Sequence, residues 1–316
     1  VIYVHTGWGD SLYLKDIFPN AKLIGLFEYY YHPRGADVGF DPEFPLTFDD
    51  IFRVRTMNTL QHYALDACDI RLTATEWQKS RYPAAYRDQL ECLHEGIDTD
   101  RIQPDAATTF SLPNGVVVRA GDEVLTFVSR SLEPCRGFHC LMRALPGIMR
   151  NRPNCQVVIV GQDEPHYGLA PKEAETWRAQ YVNELQGRID SSRLHFTGTL
   201  AFDDYLKVLQ VSRVHVYLTY PFILSWSMLE AMSAGCLVLG SDTPPVQEVI
   251  TDGYNGILFP FFDTDALVNM ATDALAQPHN YHSVRETARI TIQTRYDFNS
   301  VIYPLHLALL SRLREQ

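Results

Sequence analysis

The residues of this chain best suited to chemistry lie in one stretch, Tyr217–Gly240. The apolar run Val214–Thr219, which leads into it, is typical of a buried parallel strand. Ser225 is a good helix N-cap, and the free N–H groups and positive dipole of the helix that follows could bind a phosphate. Glu230, further along that helix, could accept two hydrogen bonds from a vicinal diol such as a ribose. The spacing alone also leaves open that Glu230 is merely a solvated helix residue.

The sequence around this stretch resembles the C-terminal half of family 4 glycosyltransferases, which have the GT-B fold. The family pattern that corresponds to Ser227–Phe259 of this chain begins with the end of E-x7-E. It continues with A-x-A-x-G-x-P-V and a G-G-x-x-E-x-[IV] turn, and it ends with D-G-x-x-G-x-L. Glu230 matches the second Glu of E-x7-E, which in the family binds the ribose of the sugar nucleotide. Phe222 stands where the first Glu, which contacts the donor sugar, is expected. Pro244-Pro245 replaces the G-G pair, whereas Glu248 is kept.

A second segment, Ser129–Gly137, resembles the family pattern G-R-x-x-x-x-K-G. Arg130 and Arg136 match the Arg and Lys that neutralise the donor diphosphate in the family. Glycosyl transfer leaves a nucleoside diphosphate, so fixed cations are useful where its negative charge grows, and arginine can bind an oxygen pair bidentately. The resemblance therefore implies that both arginines act in catalysis. The interpretation left open is a surface ion pair with Glu133.

Two strand-end turns resemble further parts of the family's nucleotide site. Val160–Asp163 corresponds to [IV]-G-x-G but keeps only Gly161, which would let the backbone approach a ligand closely. Phe196–Leu200 corresponds to F-x-G-x-[VL], whose backbone reads the nucleotide base. This resemblance implies that Thr199 and Leu200 contact the base, and it leaves the identity of the base open.

The turn before the central helix, Ile223–Ser227, stands in place of the family's P-F-G-[LI]-[VTS]. The resemblance implies that the N–H groups of Ser225 and Trp226 hold the diphosphate and that Ser227 belongs to the same nucleotide-binding turn. The Ser225 hydroxyl, where the family has Gly, could add a hydrogen bond of about 0.5–1.5 kcal/mol. Trp226 could stack on the sugar or nucleotide, or it could simply be a core residue.

The first part of the chain offers a candidate catalytic carboxylate, Glu28, after the second predicted strand. Family members often place a His near this position, close to the anomeric carbon, so Glu28 could steady a developing oxocarbenium charge or position the acceptor hydroxyl. His5 and His32 lie nearby in sequence, but capping, core or loop roles are open for both. The run Tyr29–Tyr31 is interpreted as packing and rim residues, and most of the polar residues of Phe48–Ala67 as a solvated helix face.

Composition limits the classes of partner. The net charge of −11 argues against a general nucleic-acid or anionic-membrane surface, although a peripheral membrane contact stays open. We find no apolar run near the ~20 residues that span a bilayer, and no signal-peptide pattern at the first residues. The six cysteines are scattered without C-x-x-C pairs. We therefore expect a reducing, cytoplasmic protein with no structural metal, whose only cofactor-like ligand is its nucleoside-diphosphate sugar (UDP-, GDP- or ADP-sugar).

Ten apolar strand segments, four before Thr99 and six after Glu123, alternate with helical patterns, which predicts an α/β protein with parallel sheets. One of the expected helices is Lys172–Arg188, and the turn-rich region Thr99–Glu123 is interpreted as a boundary between the two parts. The resemblance implies the GT-B arrangement, with two Rossmann-like domains facing a cleft. We predict an acceptor-side domain at 1–103, a nucleotide-sugar-binding domain at 104–296 and a C-terminal helix at 297–316 that packs back on the first domain. The chain begins inside a strand and lacks the family's leading Gly-rich segment, so the first domain is expected to be partial. The loop Pro33–Pro45 is long enough to suggest a functional role.

Two functions are compatible with this sequence. The first is a retaining, metal-independent glycosyltransferase that moves a sugar from a nucleoside-diphosphate sugar to a hydroxyl acceptor, a carbohydrate or a lipid-linked one, in polysaccharide or glycoconjugate synthesis. The second is a non-catalytic relative that binds nucleotide sugars or acts as a scaffold, which Phe222 would favour.

Overall fold

The computed structural model describes residues 1–314; Glu315 and Gln316, at the end of the predicted segment 297–316, lie outside the described residues. The chain divides into two compact units. Unit 1 contains 1–96, 220–223 and the C-terminal segment from 296, and unit 2 contains 97–219 and 224–295. Among residues 1–314, no helix has both the length and the apolar character needed to cross a bilayer.

Unit 1 is built on a four-stranded parallel sheet in the order β1-β2-β3-β4. The strands are β1 (Ile2–His5), β2 (Leu23–Leu26), β3 (Ile70–Thr73) and β4 (Leu90–Cys92). The helices are α1 (Leu14–Ile17), α2 (Phe48–Ala67), α3 (Glu76–Arg81), α4 (Ala84–Arg87) and the C-terminal helix (Tyr303–Arg314), which a π-helical turn at Phe298–Ile302 precedes.

The C-terminal helix contributes directly to the core of unit 1. Leu309 and Leu313 pack in one apolar cluster with Ile24 of β2 and Leu72 of β3. Each of these side chains is at most 6% exposed, and burying a leucine or isoleucine side chain contributes about 1.5–3 kcal/mol. This helix therefore completes one face of the unit 1 sheet.

Unit 2 contains a six-stranded parallel sheet and a two-stranded antiparallel hairpin. The hairpin strands are β5 (Thr109–Ser111) and β6 (Val117–Arg119). The sheet strands are β7 (Val124–Ser131), β8 (Gln156–Gln162), β9 (Leu194–Gly198), β10 (Val214–Tyr217), β11 (Leu237–Ser241) and β12 (Ile257–Phe259). The helices are α5 (Phe138–Asn151), α6 (Trp177–Glu184), α7 (Phe202–Val211), α8 (Trp226–Ser233), α9 (Pro244–Gln247), α10 (Thr264–Ala276) and α11 (His282–Arg295).

The strand order of unit 2 places a topological switch point between β7 and β10. The order is β12-β11-β10-β7-β8-β9, so the chain runs outward from β7 to β9 and then returns to the other side of β7. Loops that leave the carboxyl ends of β7 and β10 therefore diverge and leave a crevice between them. In open parallel sheets, ligands bind at such a crevice.

The α/β class and the parallel sheets predicted from the sequence are confirmed, and several details differ. The region Thr99–Glu123, interpreted as a boundary, contains the β5–β6 hairpin. The helix expected at Lys172–Arg188 is the shorter α6, because Thr176 caps it by accepting the N–H of Ala179. The polar face of α2 is only partly solvated, because Asn58 is buried and its side chain pairs with the backbone of Tyr31.

Gly137, at the start of α5, lets the loop after β7 approach the end of β10. Its φ of 71° lies in the left-handed region, and a Cβ atom there would lie 2.2 Å from the Cβ of Leu218. A side chain at this position would therefore push apart the two strand ends that border the crevice.

We predict that Gly137→Ala lowers the free energy of unfolding by about 2–5 kcal/mol, because a left-handed alanine costs about 1–2 kcal/mol and overpacking adds about 1–3 kcal/mol. The matched control is Gly187→Ala, since Gly187 has a φ of 75° but nothing within 4 Å of the added Cβ. Urea unfolding followed by circular dichroism would compare the two variants. Equal losses in both would contradict the role assigned to the Leu218 contact.

Candidate functional site

Arg136 is a buried cation at the switch point of unit 2. Its guanidinium group donates to the hydroxyl of Thr219, just after β10, with an Nη1–Oγ1 distance of 3.0 Å. Its Cζ atom lies 5.2 Å from the centroid of the Tyr167 ring. Burial opposes the charge, but Tyr217, Cys135 and Tyr167 outweigh it, so the pKa of Arg136 is raised above its usual value. The guanidinium group thus stays charged between the ends of β7 and β10.

Arg130, the other predicted phosphate-binding arginine, has an exposed side chain near the end of β7. It lies between the buried residues Ser129 and Ser131. The two arginines therefore differ in environment: Arg136 is fixed among buried groups, whereas Arg130 is free to reach toward a solvent-borne anion.

Glu133 is buried and binds a loop of its own unit. Its carboxylate accepts the backbone N–H of Gly168, with an Oε2–N distance of 2.7 Å, and that of Tyr167 at 3.2 and 3.3 Å. The interpretation of Glu133 as a surface partner of the arginines is therefore wrong, since its exposed fraction is 1%. Glu133 instead holds the 163–176 loop so that the Tyr167 ring covers Arg136.

Gly161 is required by packing within the protein. A Cβ atom at this position would lie 2.5 Å from the carbonyl oxygen of Ser129 and 2.9 Å from the side chain of Leu132. Both neighbours belong to β7 and the loop that leaves it. The glycine thus permits a close approach between β8 and the segment Ser129–Gly137, which carries Arg130 and Arg136.

The predicted base-reading turn follows β9. Gly198 adopts a left-handed φ of 67°, Thr199 is exposed, and Leu200 is half-buried against the core of unit 2. The backbone at Thr199 and Leu200 is therefore presented at the carboxyl edge of the sheet, directly before α7. The side chains of Thr199 and Leu200 do not by their type indicate which base they would contact.

The N terminus of α8 is organised by two side-chain contacts. The Ser225 hydroxyl caps the helix by accepting the N–H of Ser227, while the N–H of Ser225 donates to the Tyr217 hydroxyl over 2.7 Å. The amide of Ser225 is therefore hydrogen-bonded within the protein, so binding a phosphate through this N–H would require it to leave the Tyr217 hydroxyl. Trp226 is 53% exposed, so its interpretation as a core residue is wrong.

Glu230 is buried in unit 2 and bound by a tyrosine. Its exposed fraction is 9%, and its Oε2 atom accepts the hydroxyl of Tyr205 over 2.5 Å. Burial raises the pKa of the Glu230 carboxyl, and the hydrogen bond from Tyr205 partly opposes that rise. The alternative of a solvated helix residue is therefore wrong. Sequence reasoning missed Tyr205, because no spacing pattern connects a residue of α7 with one of α8.

In unit 1, Glu28 is paired with His5 at the carboxyl ends of β1 and β2. The His5 Nε2 and Glu28 Oε2 atoms are 3.3 Å apart, and both side chains are partly exposed. The backbone carbonyl of Glu28 accepts the side-chain amide of Gln78 over 2.6 Å. His32 contacts the carbonyl oxygen of Arg81 through Nε2 over 2.6 Å, and this contact fixes the start of the loop Pro33–Pro45. The sequence did not predict the pairing of His5 with Glu28.

Phe222 is a core residue of unit 1. It is 3% exposed, and its ring centroid lies 4.8 Å from that of Tyr29 in an edge-on arrangement. The Tyr29 hydroxyl donates to the carbonyl oxygen of Pro221 over 3.0 Å. The same segment is held by Asp41, which accepts the Tyr220 hydroxyl over 2.6 Å. Phe222 thus serves packing, and the loop Pro33–Pro45 helps to fix the segment around it.

Two family models match this chain. Residues 114–291 match "Glycosyl transferases group 1", and residues 1–102 match "Glycosyl transferase family 4 group". Among solved structures, sucrose-phosphate synthase from Thermosynechococcus elongatus aligns with a TM-score of 0.72 and 17% identity, over 100% of this chain and 74% of that one. The predicted GT-B fold is thereby confirmed.

Two curated relatives are described as GDP-mannose-dependent alpha-(1-6)-phosphatidylinositol monomannoside mannosyltransferases. The protein from Mycolicibacterium smegmatis is 26% identical over 278 residues, which cover 87% of this chain and 68% of the relative. The protein from Mycobacterium tuberculosis (strain ATCC 25618 / H37Rv) is 28% identical over 161 residues, which cover 50% of this chain and 38% of the relative. The match to the second relative thus covers well under half of that protein's length.

We predict that Glu133→Ala loosens the 163–176 loop, because the N–H groups of Tyr167 and Gly168 lose their acceptor. Hydrogen–deuterium exchange measured by mass spectrometry should show faster exchange in peptides covering this loop, while peptides from β7 and β8 change little. The matched control is Glu164→Ala, since Glu164 is an exposed residue of the same loop. Unchanged exchange in Glu133→Ala would show that its carboxylate does not hold the loop.

Proposed function

Because the chain belongs to the glycosyl transferases group 1 family, we propose that it transfers a sugar from a nucleoside-diphosphate sugar to a hydroxyl group of an acceptor. The observation that best supports this function is the buried, charged Arg136 at the β7–β10 switch point, with the N terminus of α8 following the same β10 end. A preorganised cation at this place would stabilise the diphosphate as it gains negative charge.

The reaction exchanges one bond at the anomeric carbon for another. The bond from this carbon to the diphosphate oxygen breaks, a bond to the acceptor oxygen forms, and the acceptor proton leaves with the nucleoside diphosphate. We propose that the configuration is retained, as the family resemblance implies. Arg130 and Arg136 would stabilise the leaving diphosphate without a metal, and Glu28, oriented by His5, would act beside the acceptor hydroxyl.

The nucleotide half of the donor would be held by residues that follow two strands of unit 2, β9 and β10. Glu230 would accept hydrogen bonds from the ribose, and the backbone at Thr199 and Leu200 would read the base. The N–H group of Trp226 would face the diphosphate, with the neighbouring hydroxyl groups of Ser225 and Ser227 beside it. Gly161 would contribute indirectly, by allowing the arginine-bearing segment to pack against β8.

The curated relatives suggest which substrates to test first. Their descriptions name GDP-mannose as donor and a phosphatidylinositol mannoside as acceptor. We therefore propose GDP-mannose as the first donor, and a lipid-linked polyol or glycoside as the first acceptor class.

Binding without transfer is a second candidate function. It is favoured by Phe222, whose buried aromatic ring occupies the position at which the family carries a sugar-contacting Glu. Tight binding of a nucleotide sugar without turnover on any acceptor or on water would support this function.

We predict that Arg136→Met and Glu230→Ala each weaken the binding of the preferred nucleoside diphosphate about 10–100-fold, because each removes charge-assisted hydrogen bonds of about 1.5–3 kcal/mol. Calorimetry with GDP, UDP, ADP and TDP would measure the dissociation constants, with thermal unfolding as a check on folding. Arg150→Met, which removes an exposed arginine from α5, is the matched control. If the protein binds a nucleotide and both variants bind it as tightly as the parent, the assigned site is wrong.

A further inference from the structure

We propose that Tyr205 is a positioning residue for ribose recognition. Its hydroxyl group holds one oxygen of the Glu230 carboxylate, so that the remaining acceptor positions face the two hydroxyls of a bound nucleotide. This inference rests on the proposed function, because it concerns the residue that would bind the ribose of the donor.

The geometry of the pair is well defined. The Tyr205 hydroxyl lies 2.5 Å from Glu230 Oε2, which is within the range of short O–H···O⁻ hydrogen bonds. An ionised carboxylate has about four acceptor positions, and a tyrosine donates one hydrogen bond. Tyr205 therefore fixes the orientation of the carboxylate and leaves it able to accept both bonds of a vicinal diol.

The position of Tyr205 along the chain connects it with the predicted base-reading turn. Residues Thr199 and Leu200 lead directly into α7, and Tyr205 lies in the first half of that helix. Its ring contacts that of Phe202, with centroids 5.9 Å apart. The guanidinium carbon of Arg101 lies 4.3 Å from the Phe202 centroid and so covers the start of α7. The turn assigned to the base thus leads into the same short helix that carries Tyr205, the residue that orients the ribose carboxylate.

The electrostatics give Tyr205 a second effect on Glu230. Burial disfavours the ionised carboxylate, which raises its pKa, and the hydrogen bond from Tyr205 counters this effect. Burial and the nearby Glu230 raise the pKa of Tyr205 well above its usual value, so the tyrosine remains a donor. The Cys236 thiol also lies near Tyr205 and adds to the rise in its pKa, and burial raises the pKa of this thiol to about 12. Tyr205 is therefore the group that favours the ionised form of Glu230 against the effect of burial.

The affinity for the nucleotide should depend on pH through the Glu230 carboxyl. The diol needs the ionised carboxylate, so affinity for the nucleotide falls as the pH drops through the pKa of Glu230. Removing the Tyr205 hydroxyl removes an interaction that lowers this pKa, so the loss of affinity should begin at a higher pH. Loss of packing alone would change affinity by the same factor at every pH.

The test compares Tyr205→Phe with the parent protein and with Tyr281→Phe. Tyr281 is a suitable control because its hydroxyl also donates to a carboxylate, that of Asp273, over 2.6 Å, but at the surface of the unit. Calorimetric dissociation constants for the preferred nucleoside diphosphate between pH 5 and 8 should show a midpoint about one pH unit higher in Tyr205→Phe. Tyr281→Phe should retain the parent midpoint. Glu230→Gln should remove this midpoint and leave only the pH dependence of the ligand's own terminal phosphate, which titrates at about pH 6.

A second measurement follows the Glu230 carboxyl without nucleotide, by carbon-13 NMR of protein labelled in its glutamate side chains. The midpoint of its titration should rise in Tyr205→Phe and fall when residue 205 is replaced by 3,5-difluorotyrosine, a stronger donor that preserves the packing. If the parent binds nucleotide but these midpoints coincide, the role of Tyr205 is overturned while the proposed function stands. If the parent binds no nucleoside diphosphate, the proposed function and the ribose role both fail.

Discussion

The burial of one permanent positive charge is the constraint on which the carboxyl edge of unit 2 depends. A guanidinium group cannot escape burial by losing its proton, so its surroundings must supply polar contacts and aromatic faces. The Thr219 hydroxyl, the Tyr167 ring and the Tyr217 hydroxyl surround Arg136 in this way. Tyr217 and Thr219 come from the end of β10 and Tyr167 from the loop after β8, so the charge draws these two segments together with the end of β7.

Buried polar contacts organise the remaining site residues in the same manner. Tyr217 orders the start of α8 by accepting the N–H of Ser225, and Glu133 fixes the loop that carries Tyr167. Glu230 is likewise held by Tyr205. In the pairs Tyr217–Ser225 and Tyr205–Glu230, a tyrosine to which the sequence assigned no role orients a residue that the family resemblance singles out. The site is therefore preorganised by contacts within unit 2, which reduces the reorganisation required when charge develops on a ligand.

The fold and the segments of the candidate site were predictable because they depend on local patterns. Apolar runs separated by helical periodicity located the ten sheet strands, and the resemblance singled out Arg136 in the turn after β7 and Glu230 in the helix after β10. Contacts between distant residues were not predictable, because no local spacing records them. The bond from Tyr205 to Glu230 joins residues 25 positions apart, and the pairing of His5 with Glu28 spans 23. The sequence did not predict the β5–β6 hairpin, because its strands are only three residues long and lie among turn-forming residues.

The division of the chain between the two units has a consequence for how the protein acquires its structure during synthesis. Unit 1 takes its first 96 residues from the N terminus, but it also includes 220–223 and the segment from Tyr296 onward. Until those residues leave the ribosome, Tyr29 lacks Pro221 and Phe222, and Leu72 lacks the cover of Leu309 and Leu313. The sheet of unit 1 is thus translated before unit 2 but completes its core only after it. The nascent chain must keep an apolar sheet face from aggregating while unit 2 is being translated.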